Sequence, residues 1–158
     1  MKHPSNKGKK VWPKRRIMRE VVFKTTFSRD MNAGIENPGR TDNLIRTLFS
    51  EEDIYDGPLI DSAKEYYAAI SEKVGEIDEI IKRYLFNWSW ERLALVDKTI
   101  LRLGTYELLY QMTVPIEVTL NESVELAKKY GTEKSGKFVN GVLDSIAREL
   151  VPREKLKL

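Results

Sequence analysis

Cationic side chains dominate the chemistry available at the amino terminus. Residues 1–24 hold nine Lys or Arg and one acidic residue, Glu20, for a net charge of +8. The other 134 residues hold 18 basic and 23 acidic side chains, for a net charge of −5. A basic end on an acidic body is typical of an arm that binds a polyanion through counterion release. A solvated tail that only keeps the protein soluble is the alternative.

The start of the first predicted helix holds part of this charge in a fixed geometry. Four cations lie within six positions there: Lys14, Arg15, Arg16 and Arg19. Apolar residues recur at helical spacing through residues 17–27, which predicts a helix from Lys14 to Asp30. Interior packing does not explain so many cations together, and the N–H groups of a helix start favour anions. We therefore expect this helix start to bind phosphate.

A second cationic helix start is predicted near the carboxyl terminus. The segment Lys134-Ser-Gly-Lys137-Phe138 opens the last predicted helix with two ammonium groups and an aromatic ring. Such a helix start can hold a phosphate while the ring stacks on a base, a contact worth about 1–3 kcal/mol. An ordinary core position for Phe138 is the alternative. We expect the two helix starts to form one landing surface for an unpaired nucleic-acid strand.

Composition disfavours catalysis. The chain has no cysteine, and its one histidine, His3, lies in the basic amino-terminal segment. Thiolate nucleophiles, Ser-His-Asp relays and metal sites rich in cysteine or histidine are thereby excluded. Residues 131–137 have the glycine spacing of a phosphate loop, but Phe138 replaces the Mg²⁺-binding hydroxyl and no buried strand precedes them. The acidic run 51–53 is expected to be a solvated surface, so we predict no catalytic residue, metal or cofactor.

Helical periodicity continues along the chain. Further helices are predicted at about residues 41–49, 59–74, 77–85, 93–109, 119–130 and 133–151. The predicted caps and ends are Thr41 or Asp42, Ser89, a capping box from Thr119 to Glu122, Gly75 and Gly131. The helix through Ile100 has almost no polar face, which predicts a core helix. The fold class is therefore all-α, a single compact domain of about seven helices around a buried central helix, with Gly104 and Gly141 at close helix contacts.

Two positions are candidates for contact with a protein partner. Seven tyrosines and tryptophans, Trp88 among them, fall on apolar stripes or at helix junctions, so most of them are predicted to be core. The exceptions are Phe27, late on the first helix, and the Trp90-Glu91 pair that opens the core helix.

The ends of the chain predict its organisation. Residues 1–13 are expected to be a basic, disordered extension, residues 14–152 the folded domain and residues 153–158 a tail. The longest run without a charged residue is the nine from Leu108 to Ile116, far below the roughly 20 apolar residues that span a bilayer. The amino terminus also lacks the apolar stretch of a secretion signal, so we expect a cytoplasmic protein.

Four segments, in this order, carry a family resemblance: RRIMRE at residues 15–20, VDKTILRLGTYELL at 96–109, VPIEVTLNESVELAK at 114–128 and KFVNGVLD at 137–144. Together they closely resemble the NusB family of bacterial transcription antitermination factors. The resemblance covers roughly residues 14–151, and four motifs with family-like spacings are more specific than any one of them.

The resemblance implies a seven-helix, non-catalytic domain that pairs with NusE, a protein also found in the small ribosomal subunit. It implies binding to the boxA element of nascent RNA, together with other Nus factors on RNA polymerase, to suppress premature termination in ribosomal RNA operons. The RNA contacts would be Arg15, Arg16, Arg19, Lys134, Lys137 and Phe138. The NusE face would involve Phe27 and the region around Glu91.

Two alternatives remain at the level of sequence. A similar helical domain is found attached to ribosomal RNA cytosine methyltransferases, although this chain has no cofactor loop, parallel-sheet pattern or cysteine nucleophile. The other is an interaction protein that does not bind RNA and whose basic tail is only solubilising.

Overall fold

The computed structural model describes residues 14–32 and 37–157, and the predicted extension at residues 1–13 lies outside them. The described residues form six α-helices: α1 (Lys14–Met31), α2 (Pro38–Ser50), α3 (Gly57–Arg83), α4 (Leu95–Tyr110), α5 (Ile116–Tyr130) and α6 (Ser135–Leu150). Two 3₁₀ turns, Trp90–Arg92 and Lys155–Lys157, complete the regular structure. No strand occurs in the described part of the chain, so the predicted all-α class is confirmed.

The chain divides into two compact units, one ending at Tyr67 and the other beginning at Ala68. The division falls inside α3, whose first eleven residues belong to the first unit and whose remaining residues belong to the second. Each unit has its own set of neighbouring helices.

In the first unit, α1 packs against α2. Met18 and Val22 of α1 and Ile45 and Phe49 of α2 are all at most 1% exposed. The predicted caps of α2, Thr41 and Asp42, are wrong because both lie inside the helix. The side chain of Asn37 caps it instead, accepting a hydrogen bond from the Arg40 N–H, and Pro38 occupies the first turn, where its missing N–H costs nothing.

The third helix is longer than the sequence predicts. We expected Gly75 to end one helix and a second helix to follow, but α3 runs unbroken from Gly57 to Arg83. Ile70 and Ile77, on either side of Gly75, are both at most 1% exposed. A glycine costs a helix only about 1 kcal/mol, which the burial of these side chains outweighs. The described residues therefore form six α-helices, where about seven were predicted.

In the second unit, α4, α5 and α6 pack on one another. The middle of α4 is buried from Thr99 to Leu108 except for Arg102, as its apolar composition predicts. Gly104 lies at the contact, since a Cβ atom added there would be 2.6 Å from Leu143 Cδ1 on α6 and 3.1 Å from Ser123 Oγ on α5. The close approach predicted for Gly104 is confirmed. The one predicted for Gly141 is wrong, because a Cβ added there meets nothing within 4 Å.

Hydrogen bonds between helices accompany this packing. Arg102 donates two hydrogen bonds to the Asp78 carboxylate on α3, at 2.8 Å and 2.9 Å. The predicted capping box is wrong, because α5 already begins at Ile116 and Thr119 lies inside it. The buried hydroxyl of Thr119 instead donates a 2.6 Å hydrogen bond to the Glu107 carboxylate on α4.

Lys155 caps the end of α4 from within the segment assigned to a tail. Its side chain is 1% exposed, and its Nζ donates to the backbone carbonyls of Glu107 and Leu108, at 2.7 Å and 3.1 Å. Both carbonyls lie in the last turn of the helix, where acceptors lie beyond the regular helical ladder, and that of Glu107 also accepts from the Gln111 N–H at 3.1 Å. Burial lowers the pKa of Lys155 to about 8, and the nearby Glu107 carboxylate opposes that shift.

None of the helices in the described residues combines the length and the apolar content that a bilayer-spanning segment requires.

Gly104 and Gly141 allow a matched test of the helix packing. Gly104→Ala is expected to lower the free energy of unfolding by about 1–3 kcal/mol, because its Cβ must displace the buried Leu143. Gly141→Ala is expected to raise it by up to about 1 kcal/mol, since the helix gains propensity at an open site. Urea unfolding measures both, and equal effects of the two substitutions would contradict the close approach at Gly104.

Lys155 predicts a pH dependence of stability. A lysine titrates near pH 10.5 when unfolded and near pH 8 here, so the unfolded state binds more protons between those values. Stability contributed at this position therefore rises with pH from about 8 to 10.5 and is flat below that range. The difference in unfolding free energy between wild type and Lys155→Met should increase across this window. Lys128→Met, at an exposed lysine paired with Glu125, is the matched control for the loss of one lysine charge, and a pH-independent difference for Lys155→Met would refute the assignment.

Candidate nucleic-acid interface

The start of α1 presents a graded set of cations. Arg15 is exposed, Arg16 is half-buried and Arg19 is only 5% exposed. Lys14 is exposed and pairs with the Asp56 carboxylate at 3.4 Å. Asp56 also accepts a hydrogen bond from the Leu59 N–H at the start of α3, and this bond, together with Lys14, keeps the pKa of Asp56 below its usual value. Of the three guanidinium groups in this set, that of Arg15 is therefore the most exposed.

Burial of Arg19 follows from where α1 enters the packed part of its unit. Met18, Val21 and Val22 are all at most 3% exposed, so one side of the helix is packed from its second turn. A buried guanidinium can position its neighbours but has little surface for a phosphate. Helical periodicity did not predict the burial of Arg19, because its charge suggested an exposed position like that of the neighbouring cations.

A tight turn sets the start of α6. The N–H of Gly131 donates to the Ala127 carbonyl at the end of α5, and the Thr132 N–H donates to Ser135 Oγ at 3.0 Å. A Cβ atom added to Gly131 would lie 2.5 Å from Ser135 Oγ and 2.8 Å from the Ala127 oxygen. Only glycine fits this turn, which fixes the direction in which α6 leaves α5.

The first turn of α6 carries the second cationic group. Lys134, at the N-cap position, and Lys137 are exposed, and Phe138 is half-buried. Positions 134, 137 and 138 are related by helical spacings of three and four, so their side chains lie on one face. An exposed pair of ammonium groups beside an accessible ring suits phosphate neutralisation and base stacking.

Two further residues lie near this face that the sequence did not single out. Lys128, exposed in the last turn of α5, brings its Cγ within 3.9 Å of a Cβ added to Gly136. Trp88 is 54% exposed, unlike the core position expected of most tyrosines and tryptophans, and its ring contacts Phe138 edge-on with centroids 5.2 Å apart. Sequence distance hid the Trp88 contact, because the loop before α4 meets the start of α6 only in the folded unit.

The segment that resembles a phosphate loop is a turn between two helices. It follows α5 rather than a strand, as expected of a segment that lacks the pattern of a nucleotide-binding phosphate loop. Glu51, Glu52 and Asp53 are exposed, as expected for a solvated surface. Among the residues whose positions are described, no group of three acidic, histidine or cysteine side chains is arranged to hold a metal ion.

Glu91 directly follows Trp90, whose ring makes cation–π contacts with three side chains. Three cations surround the Trp90 ring, with Lys98 Nζ at 4.9 Å, Arg102 Cζ at 5.4 Å and Lys82 Nζ at 5.7 Å from its centroid. The exposed carboxylate of Glu91 accepts a 2.8 Å hydrogen bond from Ser89. That bond lowers the pKa of Glu91, with smaller contributions from two of the lysines. Glu91 thus carries a stable negative charge at the surface.

Phe27 is half-buried on α1 and stacks on Phe23, with ring centroids 6.0 Å apart. Phe23 is 3% exposed and belongs to the core. The partly open ring of Phe27 is therefore supported from beneath by a fixed one, which suits an apolar contact with a partner.

Comparison with known proteins identifies the family. The sequence profile of the NusB family matches residues 16–148. The transcription antitermination protein NusB of Fervidobacterium nodosum is 44% identical over 147 residues, which cover 92% of this chain and 98% of the relative. The crystal structure of T. maritima NusB has a TM-score of 0.81 and 44% identity, covering 92% of this chain and 98% of its own.

A third similar structure was solved in complex with a protein partner and RNA. A crystal structure of the antitermination factors NusB and NusE in complex with double-stranded RNA matches with a TM-score of 0.72 and 33% identity, over 85% of this chain and 96% of its own. The chain belongs to the NusB family, a family of non-catalytic transcription antitermination proteins. The resemblance seen in the four sequence motifs is thereby confirmed.

The partial exposure of Phe138 leads to a stability prediction. Removing a fully buried phenylalanine costs about 3–5 kcal/mol, which we expect for Phe49→Ala because Phe49 is 0% exposed. Phe138→Ala should cost less than about 2 kcal/mol and leave a cooperative unfolding transition. Thermal unfolding followed by circular dichroism compares the two. A loss for Phe138→Ala as large as that for Phe49→Ala would assign Phe138 to the core.

Proposed function

We propose that this chain binds boxA-type single-stranded RNA together with NusE and suppresses premature termination in ribosomal RNA operons. Other Nus factors and RNA polymerase complete the antitermination complex. The observation that carries the proposal is the face formed by Lys134, Lys137 and Phe138 at the start of α6. Membership of the NusB family, and the presence of NusE and RNA with a 33% identical relative, support it.

The chemistry of RNA binding is divided between charge and stacking. Arg15 and Arg16 at α1, and Lys134 and Lys137 at α6, neutralise phosphates and release their counterions. Phe138 offers a ring to an unpaired base, because single-stranded RNA exposes base faces that a duplex hides. Arg19 is only 5% exposed, so it has little surface with which to contact a phosphate.

NusE binds through Phe27 and the surface around Glu91. Phe27 supplies an apolar contact, and Glu91 supplies a fixed negative charge that suits a basic ribosomal protein. The net charge of −5 beyond residue 24 adds to this attraction and repels RNA from the rest of the surface. Such complementarity governs association rate and orientation more than affinity.

The site of action follows from the function. Nascent RNA and RNA polymerase are in the bacterial cytoplasm, so we place the protein there. Residues 1–13 form a basic extension to the folded domain in this proposal, and their contribution to RNA binding is measured by deleting them.

The ionic part of the proposal predicts a salt dependence. For single strands, the logarithm of the binding constant falls against the logarithm of salt concentration with a slope of about −0.7 for each phosphate neutralised. Arg16→Ala and Lys137→Ala should each reduce that slope by about 0.7. Fluorescence anisotropy with a boxA-type RNA in the presence of NusE measures it, and a scrambled RNA should bind more weakly.

Arg148→Ala is the matched control for charge. Arg148 is exposed in the last turn of α6 and pairs with Asp144 at 2.9 Å, about 16 Å along the helix from Lys137. Its removal should leave the slope unchanged. Unchanged slopes for both Arg16→Ala and Lys137→Ala would eliminate the proposed site, and a slope reduced equally by Arg148→Ala would show that only net charge matters.

A further inference from the structure

Trp88 is an exposed aromatic side chain in contact with the proposed RNA site. It is 54% exposed, and its ring lies 5.2 Å from that of Phe138, centroid to centroid, at an interplanar angle of 61°. Tryptophan buries more apolar surface than most residues when it can, so this degree of exposure has a cost in water. Phe138 directly follows Lys137, so Trp88 is next to the cationic face of α6.

The loop that carries Trp88 is held at both ends. Before it, the Tyr84 hydroxyl donates a 2.7 Å hydrogen bond to Glu149 on α6, and Tyr84 is 8% exposed. After it, the Trp90 ring is enclosed by the three cations described above, and Leu93 is 8% exposed. Asn87 has a φ of 66°, a left-handed conformation that asparagine tolerates better than most residues. These contacts fix the conformation of the loop in the absence of ligand, which reduces the conformational entropy that is lost on binding.

We propose that Trp88 and Phe138 together form a two-ring corner that receives one unpaired base of the RNA. This inference rests on the proposed function and deepens it by assigning the base-stacking site. The charge beside the corner identifies the occupant as a nucleic-acid strand, since Lys134 and Lys137 favour phosphates next to a stacked base. A protein side chain would satisfy the rings but not the two ammonium groups.

The angle between the rings sets the capacity of the corner. Two rings inclined at 61° cannot both lie parallel to one base. A base that stacks on one ring therefore meets the other at its edge, an arrangement that aromatic groups also favour. The corner holds a single base, and both rings act on it.

Trp88→Ala tests the corner by its effect on RNA affinity. We expect about a tenfold loss of affinity for a boxA-type RNA in the presence of NusE, with the salt slope unchanged because no charge is removed. Trp88→Phe should restore most of the affinity. Phe86→Ala is the matched control, since Phe86 lies two residues earlier on the same loop and is 68% exposed, and it should change affinity less than twofold.

A double-mutant cycle asks whether both rings act on the same base. If they do, Trp88→Ala combined with Phe138→Ala loses less affinity than the product of the two single losses. Quenching of tryptophan fluorescence gives a second readout. The wild type should be quenched by RNA, and Trp88→Phe should lose most of that quenching. This measurement applies even if Trp88→Ala fails to fold.

The outcomes separate this inference from the function on which it rests. An affinity for Trp88→Ala within twofold of wild type, with Lys137→Ala still impaired, overturns the corner and leaves the proposed function standing. Equal losses for Trp88→Ala and Phe86→Ala also overturn it. If Arg16→Ala, Lys137→Ala and Phe138→Ala all bind RNA like the wild type, the proposed function itself fails.

Discussion

Close packing of α4, α5 and α6 at Gly104 is the constraint on which the second unit depends. With no side chain at that position, Leu143 of α6 and Ser123 of α5 both approach the backbone of α4. The turn at Gly131 adds a second close approach and leaves α6 a single direction in which to begin. The helix start that carries Lys134, Lys137 and Phe138 is thus placed by contacts between uncharged groups. The side chains proposed to bind RNA do not have to stabilise the fold.

Charged residues fall into two groups, those that stabilise the fold and those proposed to bind RNA. Where a charge serves the structure, it is paired or buried, as in the Arg102–Asp78 pair and at Lys155, which caps the end of α4. Most of the charge proposed to serve RNA is exposed at a helix start, as at Arg15 and Lys137, and Arg16 is half-buried. Exposed cations cost little in water and gain from a phosphate through counterion release. The division between paired and exposed charge is what the proposed function requires.

Much of the fold follows from the sequence, and its errors have identifiable causes. The apolar pattern placed α1 and the buried helix α4 correctly because both patterns are long. Gly75 was read as a helix end since local propensity favours a break, whereas tertiary burial on both sides keeps α3 intact. Thr119 fitted a capping box locally, but its hydroxyl bonds Glu107 on another helix. Lys155 was assigned to a tail because a buried lysine has no local signal.

The candidate site divides in the same way. Charge clustering identified both helix starts, since a run of cations has no packing explanation. Burial of Arg19 and exposure of Trp88 depend on which surfaces meet after folding, so composition and spacing did not reveal them. Trp88 contacts Phe138 across 50 positions of sequence. Contacts at that separation are set by the fold as a whole.

The starts of α1 and α6 are both proposed to contact boxA-type RNA. Amide chemical-shift mapping of the isotope-labelled protein during titration with a boxA-type RNA tests this proposal most directly. We expect amides of residues 14–19 and of residues 134–138 to shift on titration, and to shift far less with a scrambled RNA. Shifts confined to one of the two helix starts, or located elsewhere on the chain, would contradict it.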